Sequence, residues 1–593
     1  MVNPKLPRRA SPADKGTTNS GNATGTSTSA NPSNAEVSDA PSAPDAGPIA
    51  PVAGSFAVGP APSPPSADPS DRRPSPSSSV NEIELKLSIS PDEMARLPRR
   101  PLIRKAARGR ALTRHLHSVY YDTPTFALRT DGVALRLRRD GARWTQTLKT
   151  AGQVQAGLHL RQEHDTPVPA QLLNYQALAR SGASAVFNDP ELRSSLQQVF
   201  VTDFKRAIRE VEAAPGTLVE LCMDSGSIIA GAATAPICEV ELELKTGQPA
   251  DLLEFARRLL QQVPMRLEPR SKAERGYALA VGTPPAPAKA SAPLLHAGMS
   301  VTDAFSQVVL SCLAHLQTNE RGLLETDDEE YLHQARVALR RLRSAFSVFG
   351  RALPRAGFEG LLTELRWLGT HLGPARDWDV FATQSLPALA GAFPGDLGLH
   401  RLIETTAARR ANADRGASEA VASVRYTTLL LDVLTALYRQ PWMTLPDDAA
   451  SSERARPLPE FAAAVLTRHH RKVVKGGRDH ADLDAAGLHA LRIQIKKLRY
   501  AADFFGTLYE PKATRAYTAA LAGLQDLLGS LNDAATVERL CEVLREEGED
   551  STTPEVLGLA RGWSAATARA HIERLPDAWK RFRQSEPFWK REE

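Results

Sequence analysis

The chain has 593 residues, with 73 Lys and Arg against 68 Asp and Glu and four cysteines. That length exceeds the roughly 250 to 300 residues at which one core stops growing, so two folded parts are expected. A net charge of +5 excludes strong overall basicity; no run reaches the ~18 apolar residues of a membrane span; and cysteines without a C-x-x-C pair give no disulfide framework or zinc site, so a soluble cytoplasmic chain is expected.

Residues 1–80 are dominated by Pro, Ser, Ala, Gly, Asn and Asp, with Phe56 as their single aromatic. Such a segment buries too little apolar surface to fold and is expected to be a disordered tail. Lys5, Arg8 and Arg9 are not followed by an apolar stretch, so no secretory signal is expected. Residues 81–282 alternate with a period of two in short runs: Glu82 to Leu87, Val133 to Arg138, Trp144 to Lys149, Leu158 to Glu163 and Glu239 to Lys245. This predicts a β-rich domain. Residues 283–298 read as a Pro/Ala linker, and 299–593 as an all-helical domain. The helical part repeats itself. The stretch from His333 to Arg343 returns from His489 to Arg499, and Leu372 to Asp377 returns as Leu528 to Asp533, with the same 156-residue offset (333 to 489, 377 to 533). One offset shared by two motifs means a duplicated helical unit.

Residues two apart in a strand share a face. Glu82, Glu84 and Lys86 are therefore expected on one side, with Ile83, Leu85 and Leu87 on the other. The same spacing groups Arg136 with Arg138, Arg161 with Glu163, and Glu239 with Glu241, Glu243 and Lys245. Charges on one sheet face usually meet solvent. Three stacked carboxylates, however, repel one another unless a cation or basic partners sit among them. Carboxylates in pairs suit Mg2+ or Mn2+, and Arg/Lys strands suit phosphate oxygens, so closing the sheet would gather both sets around a metal-bound polyanion.

These residues resemble the CYTH superfamily, the triphosphate tunnel metalloenzymes. Glu82-Ile83-Glu84-Leu85-Lys86 looks like its opening E-x-E-x-K signature. Tyr120-Tyr121-Asp122-Thr123, Leu135 to Arg138, Thr147 to Lys149, Leu160 to Glu163, Thr202 to Arg206, Asp224, Cys238 to Glu243 and Ser271-Lys272 follow in family order. The resemblance implies an eight-stranded antiparallel β tunnel with a basic and an acidic wall. It implies Glu82, Glu84, Asp224, Glu239 and Glu241 as ligands of one or two Mg2+ or Mn2+ ions. Lys86, Arg136, Arg138, Lys149, Arg161, Arg206 and Lys272 are implied as substrate-binding cations. Lys86 and Arg138 are the catalytic candidates, while Lys86, a carboxylate and metal-activated water all stay open as proton acceptor. Inorganic triphosphate is the leading substrate, to be hydrolysed to phosphate and pyrophosphate. A class IV-type adenylate cyclase and a thiamine or nucleoside triphosphatase stay open, since all bind a triphosphate alike.

Helical residues at i, i+3, i+7 and i+10 form one stripe. His333, Arg336, Arg340 and Arg343 are expected together, as are His489, Arg492, Lys496 and Arg499, with Arg341 and Lys497 at the edges. Val337, Leu339 and Leu342, or Ile493, Ile495 and Leu498, can face the core. Further bases gather at Arg468, His469, His470, Arg471, Lys472 and Lys475. Stripes nearly free of acids favour a polyanion, and without interleaved aromatics the target is phosphate rather than a specific nucleic acid. With Ala375 to Val380 and Leu488 to Tyr500, this half is similar to the CHAD domain, a duplicated helical bundle associated with polyphosphate binding. Asp377 and Asp533 are expected to cap helices or pair with stripe arginines. The fold expected is thus multidomain α+β, a β tunnel followed by an all-α bundle, located in the cytoplasm and associated with polyphosphate granules. A non-enzymatic polyphosphate receptor is the alternative from another class.

Overall fold

The computed structural model describes residues 82–149, 153–155, 158–161, 163–180, 187–282, 286–446, 448–546 and 553–590, with backbone only at 82, 153–155, 159–161 and 163. The tail expected over residues 1–80 lies outside the described residues.

The β part consists of β1 (Glu82–Ile89), β2 (Ala107–Asp122), β3 (Ala134–Asp140), β4 (Arg143–Lys149), β5 (Gln153–Gln155), β6 (Leu158–Arg161), β7 (Glu163–Val168), β8 (Gln197–Ala214), β9 (Thr217–Ala230), β10 (Ala233–Thr246) and β11 (Met265–Leu267). They form one sheet in the order β5-β6-β1-β10-β9-β8-β2-β3-β4-β7, with β11 also on β1. All its pairings are antiparallel. Eleven segments among the described residues replace the expected eight, or nine when the three-residue β5 and β11 are set aside. The sheet closes on itself because β6 ends on β1 at Arg161 and β7 begins on β4 at Glu163, so one passage of chain serves both edges.

The tunnel has its apolar side outward. Leu85, Leu87, Val240, Leu242 and Leu221 are fully buried, in the same cluster as Leu252, Leu253, Phe255 and Leu259 of helix α1 (Pro249–Leu260). Their charged neighbours in the alternation therefore point inward. Helix α2 (Lys272–Val281) begins with a capping box between Ser271 and Glu274 and packs on β8, β9 and β10. It lies close because residue 276 is glycine: a Cβ there would come within 2.1 Å of the Phe200 ring.

The helical half contains α3 (Val301–Glu325), α4 (Glu329–Val348), α5 (Glu359–Val380), α6 (Leu397–Ala422), α7 (Val424–Arg439), α8 (Leu458–Gly476), α9 (Ala485–Phe505), α10 (Pro511–Glu546), α11 (Pro554–Ile572) and α12 (Leu575–Gln584). The segment read as a linker is anchored on the helical part at a few points, while most of residues 286–298 stay exposed. His315 and Asn319 hydrogen-bond the Ala288 carbonyl at 3.0 Å each, and Leu295 is buried. A single apolar cluster runs from Leu85 and Phe255 of the β part through Phe305, Leu430 and Trp442 of the helical part. Polar ties cross the same junction. Arg266 of β11 reaches Glu320 of α3 at 2.7 Å, Glu320 also accepts from the Tyr426 hydroxyl at 3.2 Å, and Arg439 pairs with Asp251 at 3.3 Å. Burial pushes the Glu320 carboxyl up, although Arg266 opposes it. No single helix among the described residues is long and apolar enough to cross a membrane; only α6 and α7 together pass that test, across a 51° bend.

Candidate active site

Strand register sets the acidic wall. Glu84, Lys86 and Ser88 of β1 lie opposite Glu243, Glu241 and Glu239 of β10, and Glu239 lies opposite Asp224 of β9. Asp224, Glu239 and Glu241 are almost wholly buried, and one oxygen of each lies within 4.8 Å of the others. Such a set of hard oxygen donors can hold a metal ion. Among these oxygens stands the Lys272 ammonium, 2.7 Å from Asp224 and 2.9 Å from Glu241, and also in contact with Glu239. Arg206 forks onto Asp224 at 2.8 and 2.6 Å and reaches Glu241. Lys86 pairs with Glu84 at 2.6 Å and with Glu241. The acidic wall is thus threaded with cations.

Charge state follows from that arrangement. Burial penalises the Glu241 carboxylate, yet Arg206, Lys272 and Lys86 outweigh it and hold the group well below the usual range. Burial and the neighbouring Glu241 push Glu84 up, with Lys86 opposing. Burial likewise works against the Lys86 ammonium, but Glu241 and Glu84 raise its pKa above the ordinary lysine value. The two carboxyls are driven apart by one shared neighbourhood.

Arg136 and Arg138 of β3 and Lys149 of β4 line the same cavity of about 120 Å³ as Glu84, Lys86, Arg206, Glu241 and Lys272. Arg138 Nε donates to the Ser118 hydroxyl at 3.1 Å. Burial acts to raise the Tyr120 hydroxyl, but Arg136, Arg138 and Lys149 hold its pKa below the usual tyrosine value. Glu82 pairs with Arg161 at the start of β1. The side chains of Glu82, Arg161 and Glu163 lie outside the described residues. Asp122 of the Tyr-Tyr-Asp-Thr motif has a structural role, accepting from the backbone N–H groups of Thr123, Leu128 and Arg129 at 2.7, 2.9 and 3.0 Å.

Sequence reasoning missed Arg275, which holds Glu239 at 2.6 Å and donates to the Pro236 carbonyl. Its spacing of three from Lys272 on α2 is the signal that could have found it. Ser118 carried no such signal.

The two helical stripes meet. Arg340 Nε donates to Tyr500 of the second copy at 3.3 Å, and Arg336 pairs with Asp377 at 3.1 Å while also contacting the Gly373 carbonyl. Burial, then Arg492, Arg340 and Arg336, pull the Lys496 ammonium down to about 7. His333 is half-buried, while Arg343, His489 and Lys497 are exposed, and Arg499 lies 3.8 Å from Asp503. Arg341 departs from the expectation. Only 3% exposed, it donates to the Ser291 carbonyl at 2.9 Å and lies over the Phe504 ring, so no polyanion can reach it. Ile493, expected to face the core, is exposed. Asp377 sits within α5 and pairs with Arg336 and Arg539 rather than capping a helix.

Comparison with known proteins matches residues 81–277 to the CYTH domain and residues 307–542 to the CHAD domain. An inorganic triphosphatase from Haemophilus influenzae is 36% identical over 201 residues, 34% of this chain and 55% of that protein, so the match spans little more than half of that relative. An uncharacterized Mycobacterium tuberculosis protein is 28% identical over 425 residues, 66% of this chain and 76% of its own. The crystal structure of the CHAD domain from Ricinus communis is 33% identical, covering 51% of this chain and 98% of that one with a TM-score of 0.44.

Proposed function

From a chain that carries a CYTH domain over residues 81–277 followed by a CHAD domain over 307–542, we propose a divalent-metal-dependent inorganic triphosphatase with a polyphosphate-binding helical half. One observation carries the first part of this reading: a cavity walled on one side by Arg136, Arg138 and Lys149 and on the other by buried carboxylates. Its volume of about 120 Å³ corresponds to about four waters at liquid density. Similarity to the Haemophilus influenzae triphosphatase supports the same reading.

Asp224, Glu239 and Glu241 would hold the metal ion, with the hard oxygen donors that Mg2+ or Mn2+ prefers. When bound, the ion neutralises phosphate-oxygen charge as a Lewis acid. Arg136, Arg138 and Lys149 bind and orient the triphosphate and stabilise charge spread over the transferring phosphoryl group. Lys86 is held protonated, so it serves as a cation and not as the proton acceptor. Glu84, whose burial beside Glu241 favours a bound proton, is the better acceptor of the proton from the attacking water.

In the helical half, burial and then the crowding of Arg492, Arg340 and Arg336 disfavour the Lys496 charge. A polyanion relieves that repulsion. The deciding experiment assays the full chain with tripolyphosphate, ATP and thiamine triphosphate, in Mg2+ or Mn2+ and in EDTA. Metal-dependent release of phosphate and pyrophosphate, fastest with tripolyphosphate, is expected. Cyclic AMP formation, or preference for either organic triphosphate, would overturn the substrate assignment. Binding without turnover would leave a receptor.

A further inference from the structure

The duplication allows each face of the second copy to be compared with its counterpart in the first. Helices α3 and α8 are the equivalent first helices, and Phe305, Val309 and Leu313 correspond to Phe461, Val465 and His469 at the 156-residue offset, all buried. A second face of α3 is buried too: Ala304, Val308, Cys312, His315 and Asn319, the last two capped by Ala288. At the same offset α8 carries Glu460, Ala464, Arg468, Arg471 and Lys475, none of them buried. Where the first copy is covered by its own chain, the second copy is open and mostly cationic.

This open face borders a cleft of about 880 Å³ that also takes in Arg351, Arg456 and Lys472. Arg456 is answered by Glu453 at 3.4 Å. Arg351, Arg468, Arg471 and Lys472 make no ion pair among the described residues. Burial, then the neighbouring Arg351, lower the Arg468 pKa below the ordinary arginine value. No residue of the two stripes lines the cleft.

The aromatic residues here do not offer a stacking surface. Trp589 is 6% exposed, spends its indole N–H on Thr467 at 2.9 Å, and is packed edge-on against Tyr517 and Phe588. Tyr509 is packed edge-on against Phe588. What remains available is a set of cations with Glu460 as the one acid among the lining residues, which suits a thin, flexible chain of phosphates better than a base-bearing ligand.

We propose that the cleft between Arg351, Arg468, Arg471 and Lys472 is a second oligophosphate-binding site, separate from the duplicated stripes. It stands on these cations alone and survives a failure of the stripe reading. The test measures binding of long-chain inorganic polyphosphate to the full chain in EDTA, across a salt series. Five proteins are compared: wild type, Arg468→Glu/Arg471→Glu, Arg336→Glu/Arg340→Glu, all four changes together, and Arg104→Glu/Lys105→Glu as a charge-matched control on the β part.

The cleft pair is expected to weaken binding about tenfold and to make the salt dependence shallower by about two counterions. The control should do neither, and triphosphatase kinetics should stay at the wild-type value. Loss should be greater still in the quadruple variant. The exposed pair Arg471→Gln/Lys472→Gln, which only neutralises charge, should shift binding in the same direction if the reversal proves unstable. Unchanged binding in both cleft variants, or an equal loss in the control, would overturn the site. Polyglutamate of matched charge competing as well as polyphosphate would overturn the ligand class. A failure of the stripes alone would appear as an inert Arg336→Glu/Arg340→Glu variant beside an affected cleft variant.

Discussion

Lys272 Nζ lies 2.7 Å from Asp224 and also contacts Glu239 and Glu241, so an ammonium stands where the carboxylate oxygens converge. A divalent cation bound there would compete with Lys272 for one set of oxygens. Removing one partner of a buried ionic group costs about 3 to 5 kcal/mol. Lys272→Met should lower the melting temperature in EDTA and gain more from Mn2+ than wild type does. Thermal unfolding with and without metal checks this. An equal metal response in both proteins would show that Lys272 and metal do not share the oxygens.

Glu241 lines the cavity and touches Lys86, Arg206 and Lys272. Glu241→Gln should therefore reduce tripolyphosphate turnover at least about 100-fold, in the range expected for losing a major electrostatic contributor. Steady-state kinetics at saturating metal measure the loss. A loss under about tenfold would remove Glu241 from the chemistry.

The Ser118 hydroxyl supports Arg138 at 3.1 Å. Arg138→Ala should raise KM and lower kcat together, because its guanidinium meets charge that grows in the transition state. Ser118→Ala should lower kcat by about threefold to tenfold with little change in KM, by loosening a cation that is still present. Wild-type values for Ser118→Ala would remove it as a positioning residue.

Lys496 is held at about 7, below its unfolded value, so between pH 7 and 10 the folded protein binds fewer protons than the unfolded chain. Its contribution therefore favours folding increasingly as pH rises across that window. Polyphosphate bound at the stripes, as proposed, would restore the charge. Binding should accordingly take up a proton above pH ~7 and weaken from pH 7 to 9. Calorimetry in buffers of different ionisation enthalpy reads the uptake directly. Lys496→Arg, charged throughout, should flatten the dependence; an unchanged slope would clear Lys496.

Arg266→Met leaves Glu320 buried with the Tyr426 hydroxyl and no cation. The expected loss is about 1 to 2 kcal/mol, less than for a fully buried pair because the Arg266 side chain is 38% exposed, and it is partly recovered in the double variant with Glu320→Gln. Because one apolar cluster spans the junction, calorimetry should show the β and helical parts shifting together. Two transitions, with only one displaced, would show that the halves unfold independently.

Much of this protein is legible locally. The alternation in Glu82 to Leu87 and Glu239 to Leu244 determines which side chains share a strand face, and the spacing from His333 to Arg343 determines a basic helical stripe, because strand and helix periods depend on neighbouring residues alone. The repeat offset likewise needs no coordinates. What the sequence by itself left open is the direction each face takes. Charges on β1 and β10 could have met solvent; they face inward because Leu85, Leu87 and Leu242 are buried outside the tunnel with α1 and the helical half. Arg340 and Arg341 are adjacent, yet the turn of about 100° per residue sends one to Tyr500 and the other beneath the Ser291 strap. The place of Lys272 among three carboxylates, the anchoring of the Pro/Ala segment on α3 and the open cationic face of α8 all arise from contacts between residues distant in sequence. Only the tertiary structure decides these, since burial and charge pairing are set by what each face meets.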